Sequence, residues 1–380
     1  MLKQLLLVLG ISLVASQAAA EIKIGIIYSA TGPVAAAGLA QQRTIQILPK
    51  EFGGEPVTYI ALDDGGDTTA TVRAAKKLLA DEKVDIILGP TSSANALAIT
   101  DAMAADETPL ISLGGSARIV SPVTGAKKWV FKTPQSDDLM AEVVADHMIK
   151  KGVKTLGIIA FNDVYGEGWA KEVTRLVTTA GIKIVSLEKY ERNDPSVMGQ
   201  VLKTLAANPD AVFIAAAGTP GVLPQVALVE KGYKGKFYQT HGVAQPEFIK
   251  LGGAAVENTF VPLAPGLVAE DLPNDHPAKG PALEFIKLYE AIPGAGSRSP
   301  FASYLWDAAI LARVASVEAM KTAKPRTPEF RRALRDAIEN IRNLPASNGV
   351  YNMSPNDHNG LDQRGRILAQ IKKGAWVFAD

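Results

Sequence analysis

Val84-Asp85-Ile86-Ile87-Leu88-Gly89-Pro90-Thr91-Ser92-Ser93-Ala94 is a short aliphatic run that stops at Gly-Pro and passes at once into a serine-rich helix start. A strand buried on both faces of a parallel sheet has this composition, closed by turn chemistry and handed directly to a helix. Working outward, strands are expected at residues 22–28, 57–62, 84–88 and 109–112, with helices over 39–52, 68–80 and 94–104. Asp67 stands where the second helix needs an N-cap. This βαβ series predicts a doubly wound parallel sheet.

The alternation restarts after Pro134, with strands at 155–160, 182–187, 211–215 and 236–239 and helices over 138–150, 165–180, 197–206 and 221–231. Two such series predict an α/β protein of two Rossmann-like lobes. Three helices around 281–291, 301–322 and 328–342 are expected to cover the first lobe, and short strands at 367–371 and 375–378 to pack on an existing one. The limits expected are residues 21–136 plus 264–345 for lobe one, and 137–263 plus 346–380 for lobe two, with three chain crossings at a hinge.

Residues 1–20 carry one cation, Lys3, then an apolar run and a small-residue end at Ala18-Ala19-Ala20. This predicts a cleaved signal peptide, since the run is well short of the ~20 residues that span a bilayer. A periplasmic location is therefore expected, with no membrane insertion after cleavage. The chain has no cysteine, which excludes disulfides, thiolate metal sites and a lipidated position 21. Lys and Arg number 40 against 39 acids, so charge balance offers no footprint for nucleic acid.

Enzyme signatures are missing from the sequence. There is no G-x-G-x-x-G after a strand, no phosphate-loop motif and no G-x-S-x-G. The four histidines, His147, His241, His276 and His358, lack zinc-site spacing. No cofactor and no metal are expected. The strand ends carry the interesting chemistry instead, because ligands of open α/β sheets sit outside the carboxyl ends of strands, where helix N-termini present free N–H groups. Ser92, Ser93 and Ala94 form one such junction, and Gly114, Gly115 and Ser116 form the next. Their hydroxyls and amides are expected to converge on a carboxylate, each charge-assisted bond being worth ~1.5–3 kcal/mol.

A family resemblance rests on Asp63-Asp64-Gly65-Gly66-Asp67, the Val84–Pro90 run with Ser93, Thr31-Gly32-Pro33-Val34-Ala35, Asn162-Asp163-Val164-Tyr165-Gly166-Glu167-Gly168, and Gly360-Leu361-Asp362. In this order the motifs resemble the branched-chain amino acid (Leu/Ile/Val-type) binding proteins of ABC importers, over essentially all of residues 21–380. The resemblance implies the type I periplasmic binding protein fold, no catalysis, a ligand held between the lobes, and a membrane permease as partner. It also implies that Ser93, Gly114 and Ser116 hold the ligand carboxylate and that Tyr165 closes over it from the other lobe. Asp137 lies near the crossover, where a hinge, N-cap or ligand role is open. A monomer suits a protein that must clamp and then dock.

Departures from the pattern bear on the ligand. His241 occupies the segment where the amino acid binders place a carboxylate against the ligand ammonium, and Ala37 and Gly218 are small at two contact positions. A buried ammonium is poorly satisfied by imidazole. The expected solute is therefore a larger carboxylate without an ammonium, most simply an aromatic acid of benzoate-like, aryl-keto or aryl-alkanoic type. A branched-chain amino acid or amide binder, a Ser/His hydrolase using Ser93 or Ser116 with His241, and a sensor subunit stand as alternatives.

Overall fold

The computed structural model describes residues 21–292, 294 and 296–379, so the expected signal peptide lies outside the described residues. The first series runs β1 (Ile22–Tyr28), α1 (Ala35–Ile45), β2 (Glu51–Phe52), β3 (Glu55–Asp63), α2 (Thr68–Lys76), β4 (Ile86–Leu88), α3 (Ser93–Ala105), β5 (Leu110–Ser112) and β6 (Val130–Lys132). These strands form one six-stranded sheet in the order β2-β3-β1-β4-β5-β6. Every pairing from β3 to β6 is parallel, as the doubly apolar strands require. Residues 51–52, expected as the end of a helix, are a strand because Gly53-Gly54 turns the chain back into an antiparallel pair with β3.

The second series runs α4 (Asp137–Lys150), β7 (Thr155–Phe161), α5 (Val164–Thr179), β8 (Lys183–Tyr190), α6 (Met198–Ala206), β9 (Ala211–Ala215), α7 (Val222–Glu230), β10 (Lys236–Gln239), α8 (Pro246–Gly252) and β11 (Phe260–Leu263). The chain then returns to the first sheet with α9 (Lys279–Glu290), α10 (Pro300–Ala319) and α11 (Pro328–Glu339), followed by β12 (Leu344–Ala346) and β13 (Gly349–Tyr351). It ends with β14 (Ile367–Lys372) and β15 (Ala375–Phe378), which join the second sheet in the order β15-β14-β11-β10-β9-β7-β8. Among the described residues no helix is long and apolar enough to cross a membrane.

Each sheet has its own core. Ile24, Ile26, Leu88 and Phe131 pack against Tyr304, Leu305 and Leu311 of α10, a helix apolar around most of its circumference and buried accordingly. Ile158, Phe161, Trp169 and Phe213 centre the other core. Tyr351, Met353 and Leu361 pack in the first core. The third crossing therefore falls after Leu361 rather than at the expected 345/346 limit, because the β12–β13 hairpin buries its apolar face on lobe one.

The crossings are stitched together by amides. Gln135 Nε2 donates to the carbonyls of Asn348 at 3.0 Å and Gly365 at 2.7 Å. Asn359 Nδ2 donates to the carbonyls of Lys132 and Pro134 at 3.2 and 2.9 Å. Buried Asp307 on α10 accepts from the backbone and side chains of Ser347 and Asn348 and from Tyr351 Oη, at 2.6 to 3.1 Å.

Candidate functional site

Gly89 ends β4 at φ +109°, where a Cβ would meet the Ile27 carbonyl oxygen at 2.0 Å. Only glycine turns the chain there and lets α3 begin directly above the sheet. Ser92 caps α3, its side chain accepting from Asn95 N at 3.3 Å. Ser93 is thereby placed in the first turn, buried, with Oγ accepting from Ser116 N at 3.1 Å. That bond uses a lone pair and leaves the hydroxyl proton for another acceptor.

Ser93 faces a cleft between the lobes. Seven of the expected residues line it: Ala37, Ser92, Ser93 and Gly115 from one lobe, and Tyr165, Gly218 and His241 from the other. Ala94, Gly114, Ser116 and Asp137 do not. Ala94 lies half-buried on α3, and Gly114 packs on the Ser93 backbone, where a Cβ would come within 2.9 Å of Ser93 Cα. The Ser116 amide is taken by Ser93 and its Oγ accepts from Arg118 N at 3.3 Å, so it caps a single turn, Ala117–Ile119. Asp137 is buried beside that turn, accepting from Ala117 N at 2.9 Å and Asp138 N at 3.1 Å. Burial pushes its carboxyl upward and the Lys132 ammonium opposes the shift.

The opposite wall is a hydrogen-bonded aromatic cluster. Tyr165, in the first turn of α5, donates to Thr240 Oγ1 at 2.9 Å, and Thr240 donates to the Ala216 carbonyl. The tyrosine proton therefore points to Thr240 in lobe two rather than into the cleft. Burial holds this hydroxyl far above its ordinary titration range. His241 opens the next turn, with its ring edge-on to Tyr165 at 6.1 Å and tilted against Trp169 at 5.6 Å. Burial, aided by the Lys132 charge, pulls its pKa down to about 3, so the imidazole is neutral at physiological pH. Its Nδ1 is buried without a protein partner among the described residues. A Cβ on Gly115 would lie 2.9 Å from His241 Nε2 and 3.0 Å from Tyr165 Cε2, so the lobes meet at that glycine.

Of the lining residues that were not anticipated, three carry a charge or an aromatic ring. Arg192 follows β8, pairs through Nε with Asp163 at 2.6 Å, and stacks 4.3 Å above the Phe161 ring. No other hydrogen-bond partner holds its terminal nitrogens among the described residues. The expected strand end at 187 fell short of β8, so the segment after the true strand end went unread. Phe301 and Tyr304 at the start of α10 supply an aromatic wall to the cleft. Their only sequence signal was an aromatic pair at the head of a helix. No aspartate or glutamate lines the cleft among the described residues, and no group of residues there could hold a metal.

The family model described as periplasmic binding protein matches residues 21–375. A Leu/Ile/Val-binding protein homolog of Brucella melitensis is 26% identical over 253 residues, covering 65% of this chain and 68% of that protein. The leucine-, isoleucine-, valine-, threonine-, and alanine-binding protein of Pseudomonas aeruginosa is 26% identical over 260 residues, with 65% and 68% covered. Among solved structures, an extracellular ligand-binding receptor from Rhodopseudomonas palustris HaA2 is 46% identical with a TM-score of 0.92, covering 95% of this chain and 100% of that chain.

Proposed function

Since the chain belongs to the periplasmic binding protein family, in its type I, two-lobed form, we propose that it captures a small aromatic carboxylate in the cleft and presents it to the membrane permease of an ABC importer. The observation that carries this reading is the charge of the lining: Arg192 and a neutral His241 face the cleft, and no acidic side chain does. An α-amino acid would bury its ammonium without a counter-ion, at a cost of several kcal/mol. An aromatic acid has no such group, and its ring suits walls made by Phe301, Tyr304 and the face of Tyr165.

In this reading Ser93 donates its hydroxyl proton to the carboxylate, Ala37 and Gly218 leave room for the ring, and His241 meets a ring substituent or keto oxygen. Capture is a rocking of lobe two onto lobe one, and the closed form is what the permease recognises. The curated relatives named for branched-chain amino acids favour a second reading, an amino acid binder.

A thermal-shift screen separates the two. A ligand at 100 times its dissociation constant stabilises the native state by about 2.7 kcal/mol. Benzoate and aryl-alkanoates are expected to raise the melting temperature while leucine, isoleucine and valine leave it unchanged. The opposite pattern would establish the amino acid reading.

A further inference from the structure

Lys132 is the last residue of β6 and is fully buried. Its Nζ donates to the Gly115 carbonyl at 2.8 Å and to Ser136 Oγ at 3.0 Å. No carboxylate oxygen pairs with it within 4.0 Å among the described residues. Asp137, Asp138 and Asp357 favour the charge only from beyond that distance, and a buried ammonium with no carboxylate in contact is costly, so folds keep one where something further compensates it.

The position of its acceptor indicates what that is. The carbonyl of Gly115 and the amide of Ser116 belong to one trans peptide and so point in opposite directions. Lys132 holds the oxygen end, and the N–H end donates to Ser93 Oγ. Ser93 Oγ thus accepts from this peptide and retains a proton to donate into the cleft that it lines. Ammonium, peptide and hydroxyl form one chain of donors running from the buried charge to the cleft, each bond polarising the next in the same sense.

We propose that Lys132 is a positioning residue for anion capture: its buried charge is the counter-ion of the ligand carboxylate, transmitted through the Gly115–Ser116 peptide and the Ser93 hydroxyl. This deepens the carboxylate reading given above and rests on it.

A pH dependence follows. Burial pulls the Lys132 pKa down to about 8, opposed by Asp137, Asp138 and Asp357. A carboxylate arriving at Ser93 raises it again. Below about pH 7 the ammonium is charged in both states and affinity is constant. Above pH 8 the free protein loses the proton and must recover it on binding, so affinity falls up to about tenfold per pH unit until the bound-state value is reached. Other groups around Lys132 do not mimic this. His241 is deprotonated throughout that range, and the Tyr165 hydroxyl stays protonated. Both ring nitrogens of His358 are engaged, by the Val130 carbonyl and by Glu339. The charged side chains that act on Lys132 are Asp137 and Asp138 on α4 and Asp357 in its loop.

The test is calorimetry on the intact protein with benzoate and benzamide, the amide being read by competition. Wild-type affinity for benzoate is expected to fall about tenfold from pH 7 to pH 9, while that for benzamide stays flat. Lys132→Met is expected to cut the benzoate-over-benzamide preference at least tenfold at pH 7 and to abolish the pH slope. A flat wild-type benzoate profile, or an unchanged preference in a cooperatively folded Lys132→Met, overturns the proposal; the wild-type profile decides alone if the variant fails to fold. If wild type refuses benzoate and takes leucine, the aromatic reading has failed and the lysine has not. The same variant comparison with leucine and leucinamide then decides it.

Discussion

Ser93 accepts from the Ser116 amide and, in the proposed reading, gives its own proton to the solute. Ser93→Ala removes both. The expected outcome is a weakening of benzoate binding by roughly ten- to a hundredfold, the equivalent of one charge-assisted bond, measured by calorimetry. His241 makes a different prediction, with a sign fixed by its depressed pKa of about 3. The unfolded chain takes up the proton near the ordinary histidine value while the folded protein does not. Stability is therefore complete above about pH 6.5 and is lost as the pH falls from there toward 3. Ligand-free protein should lose about 2 kcal/mol between pH 7 and 5 from this residue alone. His147, depressed to about 4 by burial and by neighbouring lysines, acts in the same direction. Melting curves at the two pH values should converge partly in His241→Gln, and an unchanged gap would contradict this account.

At the scale of elements, β4, β5 and their helices were legible because a doubly apolar strand ending in Gly-Pro or Gly-Gly admits few other readings. The same logic brought Ser92, Ser93 and Gly115 to the cleft. It failed for Ser116 because a strand-end hydroxyl can equally cap its own loop, and only the packed loop shows which it does. Arg192, Phe301, Tyr304 and Lys132 were illegible for a related reason. Their roles come from where tertiary packing delivers them, and a lysine closing a strand has the sequence pattern of a solvated end. Asp307 is the clearest such case, a charged residue inside a buried helix whose purpose is set about forty residues away at Ser347 and Asn348. Asp307→Ala leaves those donors unpaired, with an expected cost of about 3–5 kcal/mol. The melting temperature should drop by several degrees, and ligand affinity should change as well, because the hinge segment loses its anchor.

For the whole molecule, the proposed closure brings the lobes together at Gly115, where the loop of one lobe approaches His241 and Tyr165 of the other. Gly115→Val should prop the lobes apart while leaving each core intact. Small-angle scattering is expected to show contraction on adding benzoate to wild type and none in the variant, at similar melting temperatures. Equal contraction in both would place the closing contact elsewhere.

The amides that join the crossings, from Gln135 and Asn359, lie outside the cleft lining. Axle and upholstery are thus separate parts. An engineer could retarget this receptor toward new cargo by randomising the walls alone, and the mechanical stroke that converts occupancy into shape would carry over unaltered to every member of such a library.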